Sequence, residues 1–176
     1  KDVQFERFYL DRIFYYSLNS LLDLYMLHGF YVADVEMIEP HGGSLRVTGY
    51  RQGEGPGVSQ EVKAMLWEET MSLTLHTMQG FSATVDEYLS LFKQKLEEYK
   101  AQGVRVAGYG APARVSTICN YGRIGPELIE FIVDDSPLKQ NKFSPGTHIP
   151  IMPKSYLDSL ERRPDLLVVF AYEYFT

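Results

Sequence analysis

An α/β fold with a small parallel sheet in its C-terminal part follows from three features of the 176-residue sequence. Short apolar runs near Arg105–Tyr109, Ile129–Val133 and Leu166–Ala171 read as strands. Amphipathic stretches near Ala113–Tyr121 and Tyr156–Arg162 read as the helices between them. Strand and helix in alternation imply parallel strands joined by crossover helices. The first strand runs into Gly108-Tyr109-Gly110-Ala111-Pro112-Ala113 and the second ends in Asp134-Asp135. Strand, glycine turn, helix and strand closed by an acid is the order of a Rossmann-like nucleotide pocket.

The elements before this sheet are mostly helical. Ser17 suits an N-cap, with Leu18, Leu21, Leu22 and Tyr25 following at helical spacing and Gly29 as the stop. Phe30–Ile38 and Ser44–Tyr50, separated by Pro40-His41-Gly42-Gly43, read as a hairpin. Gly53-Glu54-Gly55-Pro56-Gly57 has the composition of a flexible linker. Two acidic helices come next. The first, Val58–Thr77, has Val62, Met65, Leu66 and Leu73 on one face. The second, from about Thr84 to Ala101, carries the stripe Val85, Tyr88, Leu89, Phe92, Leu96 and Tyr99. Three blocks result, 1–52, 53–102 and 103–176.

Composition narrows the function. The formal charge of −6 argues against a nucleic-acid or anionic-membrane surface, which needs clustered Lys and Arg. No apolar run approaches the roughly 20 residues of a membrane-spanning helix. The single cysteine, Cys119, excludes an internal disulfide and a thiolate metal site, and it sits in a helix among apolar neighbours, as a buried inert thiol would. No metal site is expected, because His28, His41, His76 and His148 lack ligand spacing. A cytoplasmic location is the default expectation. Thirteen tyrosines, crowded toward the N-terminal third, are read mainly as core packing.

The glycine turn permits two readings: close strand–helix packing, or a cradle for a phosphate at a helix N-terminus. Asp134 is placed to accept from ribose hydroxyls, whereas Pro112 removes one N–H from the turn. Downstream, Lys139, Lys142 and Ser144-Pro145-Gly146-Thr147-His148 read either as a diphosphate grip or as a solvated loop. His41, beside two glycines, reads either as a ligand contact or as a turn residue.

Three segments carry a resemblance: FYLDRIFYYSL (Phe8–Leu18), PHGGSLRV (Pro40–Val47) and GYGAPARVSTICNY…VDDSPLKQNKFSPGTHIPI (Gly108–Ile151). In this order, and over nearly the whole chain, they resemble the C-terminal part of the S-adenosylmethionine-dependent sugar C-methyltransferases. That family methylates a carbon next to the keto group of a nucleotide-linked deoxysugar. The resemblance implies that residues 1–52 end a class I methyltransferase domain, as a helix-and-hairpin remnant. It makes 53–102 a linker with two connector helices and 103–176 a Rossmann-like substrate-binding domain. It also implies that S-adenosylmethionine and a zinc ion are bound upstream of Lys1, so that this stretch is a fragment, inactive by itself. A hairpin so cut would dock on the third block or self-associate into a homo-oligomer.

By the same resemblance, the nucleotide sugar is bound by His41, Gly42, Gly108, Gly110 and Ala111, together with Pro112, Asn120, Asp134, Lys139 and His148. The catalytic segment departs from the family. Tyr-His-Glu-His is usual, and this chain reads Tyr9-Leu10-Asp11-Arg12. Tyr9 is kept, Asp11 keeps a carboxylate, and Arg12 replaces a histidine. Histidine titrates near neutral pH and can remove a proton from carbon, which arginine cannot. Changed chemistry, a different substrate or lost activity follow as alternatives. A module that only binds a nucleotide or nucleotide sugar is the alternative from another functional class.

Overall fold

The structure, a computed structural model, describes residues 3–9, 12–40 and 43–171. Close contacts divide the chain into two compact units, Ile13–Gly80 and a second made of Lys1–Arg12 with Phe81–Thr176. These cuts fall elsewhere than the edges of the three sequence blocks.

In the first unit, helix α1 (Leu18–Leu27) begins as its sequence predicts. Ser17 caps it, accepting from the Ser20 N–H at 3.1 Å while Ser20 Oγ accepts from the Ser17 N–H at 3.0 Å. Strands β1 (Phe30–Ile38) and β2 (Ser44–Arg51) form the antiparallel hairpin. Its register shifts between Val32 and Asp34, and there the Ala33 carbonyl accepts from the Ser59 N–H at 2.8 Å. Ser59 in turn caps α2 (Gln60–Ser72), so the shift in the strand fixes where the next helix starts. Glu69 of α2 reaches back to the α1 N-terminus, accepting from Leu18 N–H at 2.6 Å and Asn19 N–H at 3.0 Å. Leu18, Val32, Val35 and Val62 form the buried core of this unit.

Three expectations are corrected here. The 53–57 stretch is not a free linker, because the Tyr31 hydroxyl donates to the Glu54 carbonyl at 2.9 Å and also meets the Pro56 carbonyl. The first acidic helix stops at Ser72 rather than Thr77, and α3 (Leu75–Ala101) starts well before Thr84. Thr74 and Thr77 exchange backbone-to-hydroxyl bonds at 3.0 and 3.2 Å, which breaks one helix and begins the next. The tyrosines are also less buried than core packing would make them: Tyr15, Tyr16 and Tyr50 are exposed.

In the second unit a five-stranded sheet has the order β5 (Lys142–Phe143), β6 (Pro150–Met152), β4 (Ile132–Val133), β3 (Val106–Tyr109), β7 (Leu166–Val169). All neighbours are parallel except the β5–β6 pair at the edge. Side chains alternate across the sheet, as the two-residue period of a strand requires. Val106, Ile132 and Ile151 join Leu96 of α3 and Val115 and Cys119 of α4 (Ala113–Gly122) in one core. Ala107, Val133 and Met152 face the other way, toward Tyr156 and Leu157 of the short α5 (Tyr156–Ser159). The result is the α/β fold with a Rossmann-like sheet that the alternation predicts. The second strand is shorter than Ile129–Val133, the last helix shorter than Tyr156–Arg162, and β5 and β6 arise where the sequence suggests a loop. Among the described residues, no helix is long and apolar enough to cross a membrane.

Candidate functional site

The glycine turn leaves the C-terminal end of β3 and enters α4. In open parallel sheets, ligands bind beyond these strand ends. Gly110 has φ +79°, and a Cβ there would run into Ala171. Gly108 is tightly packed too: a Cβ would lie 2.7 Å from the Ile132 side chain and 3.0 Å from Phe170. Both glycines therefore have packing reasons. The turn is closed by Asp134, whose side chain is largely buried. Its Oδ2 accepts from the Ala111 N–H at 2.6 Å and from Lys139 Nζ at 3.4 Å, while Oδ1 accepts from the Ser136 N–H at 2.8 Å. Three of roughly four lone-pair positions on the carboxylate are thus used within the protein. Burial works against the charged form, but the Ala111 and Ser136 N–H groups and Lys139 outweigh it and hold the Asp134 carboxyl below its ordinary value.

A cleft of about 460 Å³ opens at this turn. Ala111, Pro112, Ala113 and Ser116 line it from the start of α4, and Leu138, Lys139, Lys142 and Phe143 line it from the segment that ends in β5. Tyr9 lines it as well. Tyr9 reaches this place because a 3-10 turn at Phe5–Arg7 packs on α4: Thr117 Oγ1 donates to the Phe8 carbonyl at 3.1 Å, and the Phe5 and Tyr121 rings lie 6.3 Å apart. Arg12 follows Tyr9 closely, with its N–H donating to the Tyr9 carbonyl at 3.0 Å and its guanidinium 5.8 Å from the centre of the Tyr9 ring. Among the described residues Lys142 makes no ion pair, so the cleft holds positive charge in a chain of net charge −6.

Against this geometry, a family model described as the C-methyltransferase C-terminal domain matches residues 39–176. The chain belongs to this family. C-methyltransferase NovU of Streptomyces niveus is 31% identical to it over 176 residues, 99% of this chain. The chain spans 41% of the length of that relative.

The cleft brings Tyr9, which precedes the matched C-methyltransferase C-terminal domain, together with Ala111, Pro112 and Lys139 of the residues singled out in the sequence, and Lys142 stands beside them. Gly108, Gly110 and Asp134 shape the turn from behind. Asn120 does not line the cleft. Its amide donates to the Ser116 carbonyl at 2.7 Å and to the Pro145 carbonyl at 2.9 Å, bracing the loop between β5 and β6. His148 is exposed in that loop with φ +55°, and its backbone N–H donates to the Ser144 carbonyl. Asp11, His41 and Gly42 lie outside the described residues. Cys119 is fully buried and its thiol is pushed up to about 12 by that burial, which makes it inert. Among the described residues, no cluster of three or more His, Cys, Asp or Glu could hold a metal ion.

Sequence reasoning missed Leu138 and Phe143 as cleft residues. The signal was faint: an aromatic beside Lys142 within an otherwise polar stretch, on a strand of two residues.

Proposed function

We propose that this domain is the substrate-binding part of an S-adenosylmethionine-dependent C-methyltransferase acting on a nucleotide-linked keto-deoxysugar. The observation that carries the reading is the single cleft that joins Tyr9, from the catalytic segment, to the glycine turn and to Lys139 and Lys142. Two lysines beside the start of a helix suit a diphosphate. They do not suit the sulfonium of the methyl donor, so the donor is assigned to no residue of this cleft. In this reading, 1–52 ends the donor domain, 53–102 connects and 103–176 binds substrate.

Methylation beside a ketone needs the proton on that carbon to leave as an enolate develops, and the enolate carbon then takes the methyl group. Arg12 stabilises negative charge but removes no proton. Tyr9 or Asp11 therefore takes the proton, with Arg12 beside the developing enolate oxygen. His41 and Gly42 belong to the same reading as substrate contacts. One observation favours a second reading, a module that only binds nucleotide sugars: the Arg12 guanidinium sits over Tyr9 where the family usually has histidine.

Calorimetric titration of the chain with uridine and thymidine diphosphate tests the cleft. Saturable binding that is lost in the K139A/K142A double variant is expected. No binding of either nucleotide, or undiminished binding by the double variant, would overturn the proposal.

A further inference from the structure

The cleft is more apolar than a diphosphate alone requires. Leu138 and Phe143 both line it, and they stay 80% and 61% exposed. Exposed large apolar groups at the mouth of a charged cleft call for an apolar part of the ligand. Phe143 stands on β5, the antiparallel edge strand, and β5 pairs with β6 at Lys142↔Ile151 and Phe143↔Pro150, which fixes its backbone to the sheet. Its ring packs against no other aromatic ring among the described residues. Tyr9 differs, because its ring already meets the Arg12 guanidinium.

We propose that Phe143 is the stacking platform for the nucleobase of the bound nucleotide. The proposal rests on the substrate reading above and adds its internal order. The base lies on Phe143 beside Leu138, the diphosphate lies at Lys139 and Lys142, and the sugar is directed to Tyr9. Stacking is tolerant of base identity, since every base presents a flat π-face. Phe143 therefore selects for a nucleotide over a bare phosphate rather than for one particular base. Charge complementarity supports the same occupant: a flat apolar surface beside two ammonium groups matches a base linked to phosphates, and not a neutral sugar or an apolar peptide.

The test compares uridine diphosphate, thymidine diphosphate and inorganic pyrophosphate on the chain and on F143A, F143Y and K139A/K142A. Phe143 is exposed, so F143A and F143Y should keep the wild-type thermal midpoint. F143A is expected to weaken both nucleotides about tenfold. It should leave pyrophosphate unchanged, and F143Y should restore nucleotide binding. An upfield shift of the base H6 proton on binding, absent with F143A, is the accompanying NMR signature. Nucleotide binding that F143A leaves intact, or an equal loss for nucleotides and pyrophosphate, overturns the platform and leaves the cleft reading standing. Binding of none of the probes overturns both.

Discussion

Asp134 shows how much a single side chain decides here. Its carboxylate joins the Ala111 N–H of the glycine turn to the Ser136 N–H and to Lys139 of the loop after β4. Asn at this position has one accepting oxygen, and its NH₂ would face an N–H or an ammonium. D134N should therefore cost about 2 kcal/mol, the scale of a charge-assisted hydrogen bond lost in a partly buried place. The pH dependence follows from the sign of the shift. The folded carboxyl lies below its ordinary 3.8, so its stabilisation is present above that value and fades as pH falls through the folded one. Urea titrations of wild type and D134N should differ most near neutral pH and converge below that carboxylate range. A difference constant from neutral to acid would refute this. The sequence marks Asp134 as the acid closing a strand. The structure shows that most of its hydrogen-bonding capacity is used within the protein, tying the glycine turn, through an Ala111 N–H more than twenty residues away, to the Ser136 N–H and Lys139 of its own loop.

At the scale of elements, the turn between β3 and α4 is the critical joint. Gly110 combines a left-handed φ of +79° with no room for a Cβ against Ala171. Gly110→Ala pays both for strain and for overpacking, about 3 kcal/mol together. A fall in the denaturation midpoint is expected, along with loss of nucleotide binding as the wall of the cleft shifts. An unchanged midpoint would mean that the turn relaxes freely. Elements with strong local signals were legible before the structure. Ser17 and Gly29 bracket α1, and Phe30–Ile38 is a strand over that whole span. β5 and β6 were not legible, being only two and three residues long and held by pairing to the sheet rather than by any periodic pattern. The α2–α3 break was missed because Thr74 and Thr77 act through hydroxyls that an apolar stripe does not record.

For the whole molecule, the two units have unequal cores. That of Ile13–Gly80 rests on Leu18, Val32, Val35 and Val62, while the larger unit has buried clusters on both faces of its sheet. Local stability follows buried apolar contact. Hydrogen exchange followed by mass spectrometry should find α1 and the β1–β2 hairpin exchanging well before β3 and β4. Uniform protection across both units would contradict this. By itself the sequence determined the α/β class, the glycine turn with its closing acid, and three motif segments in family order. These are local: each depends on residues close together in the chain. Only the tertiary structure decided that Tyr9 stands at the mouth of the glycine turn, that Phe143 shares that cleft with two lysines, and that Asn120 braces a loop instead of lining it. Each of these depends on contacts between distant segments, such as Thr117 with the Phe8 carbonyl and β5 with the sheet edge, and the spacing of residues along a chain does not encode such contacts.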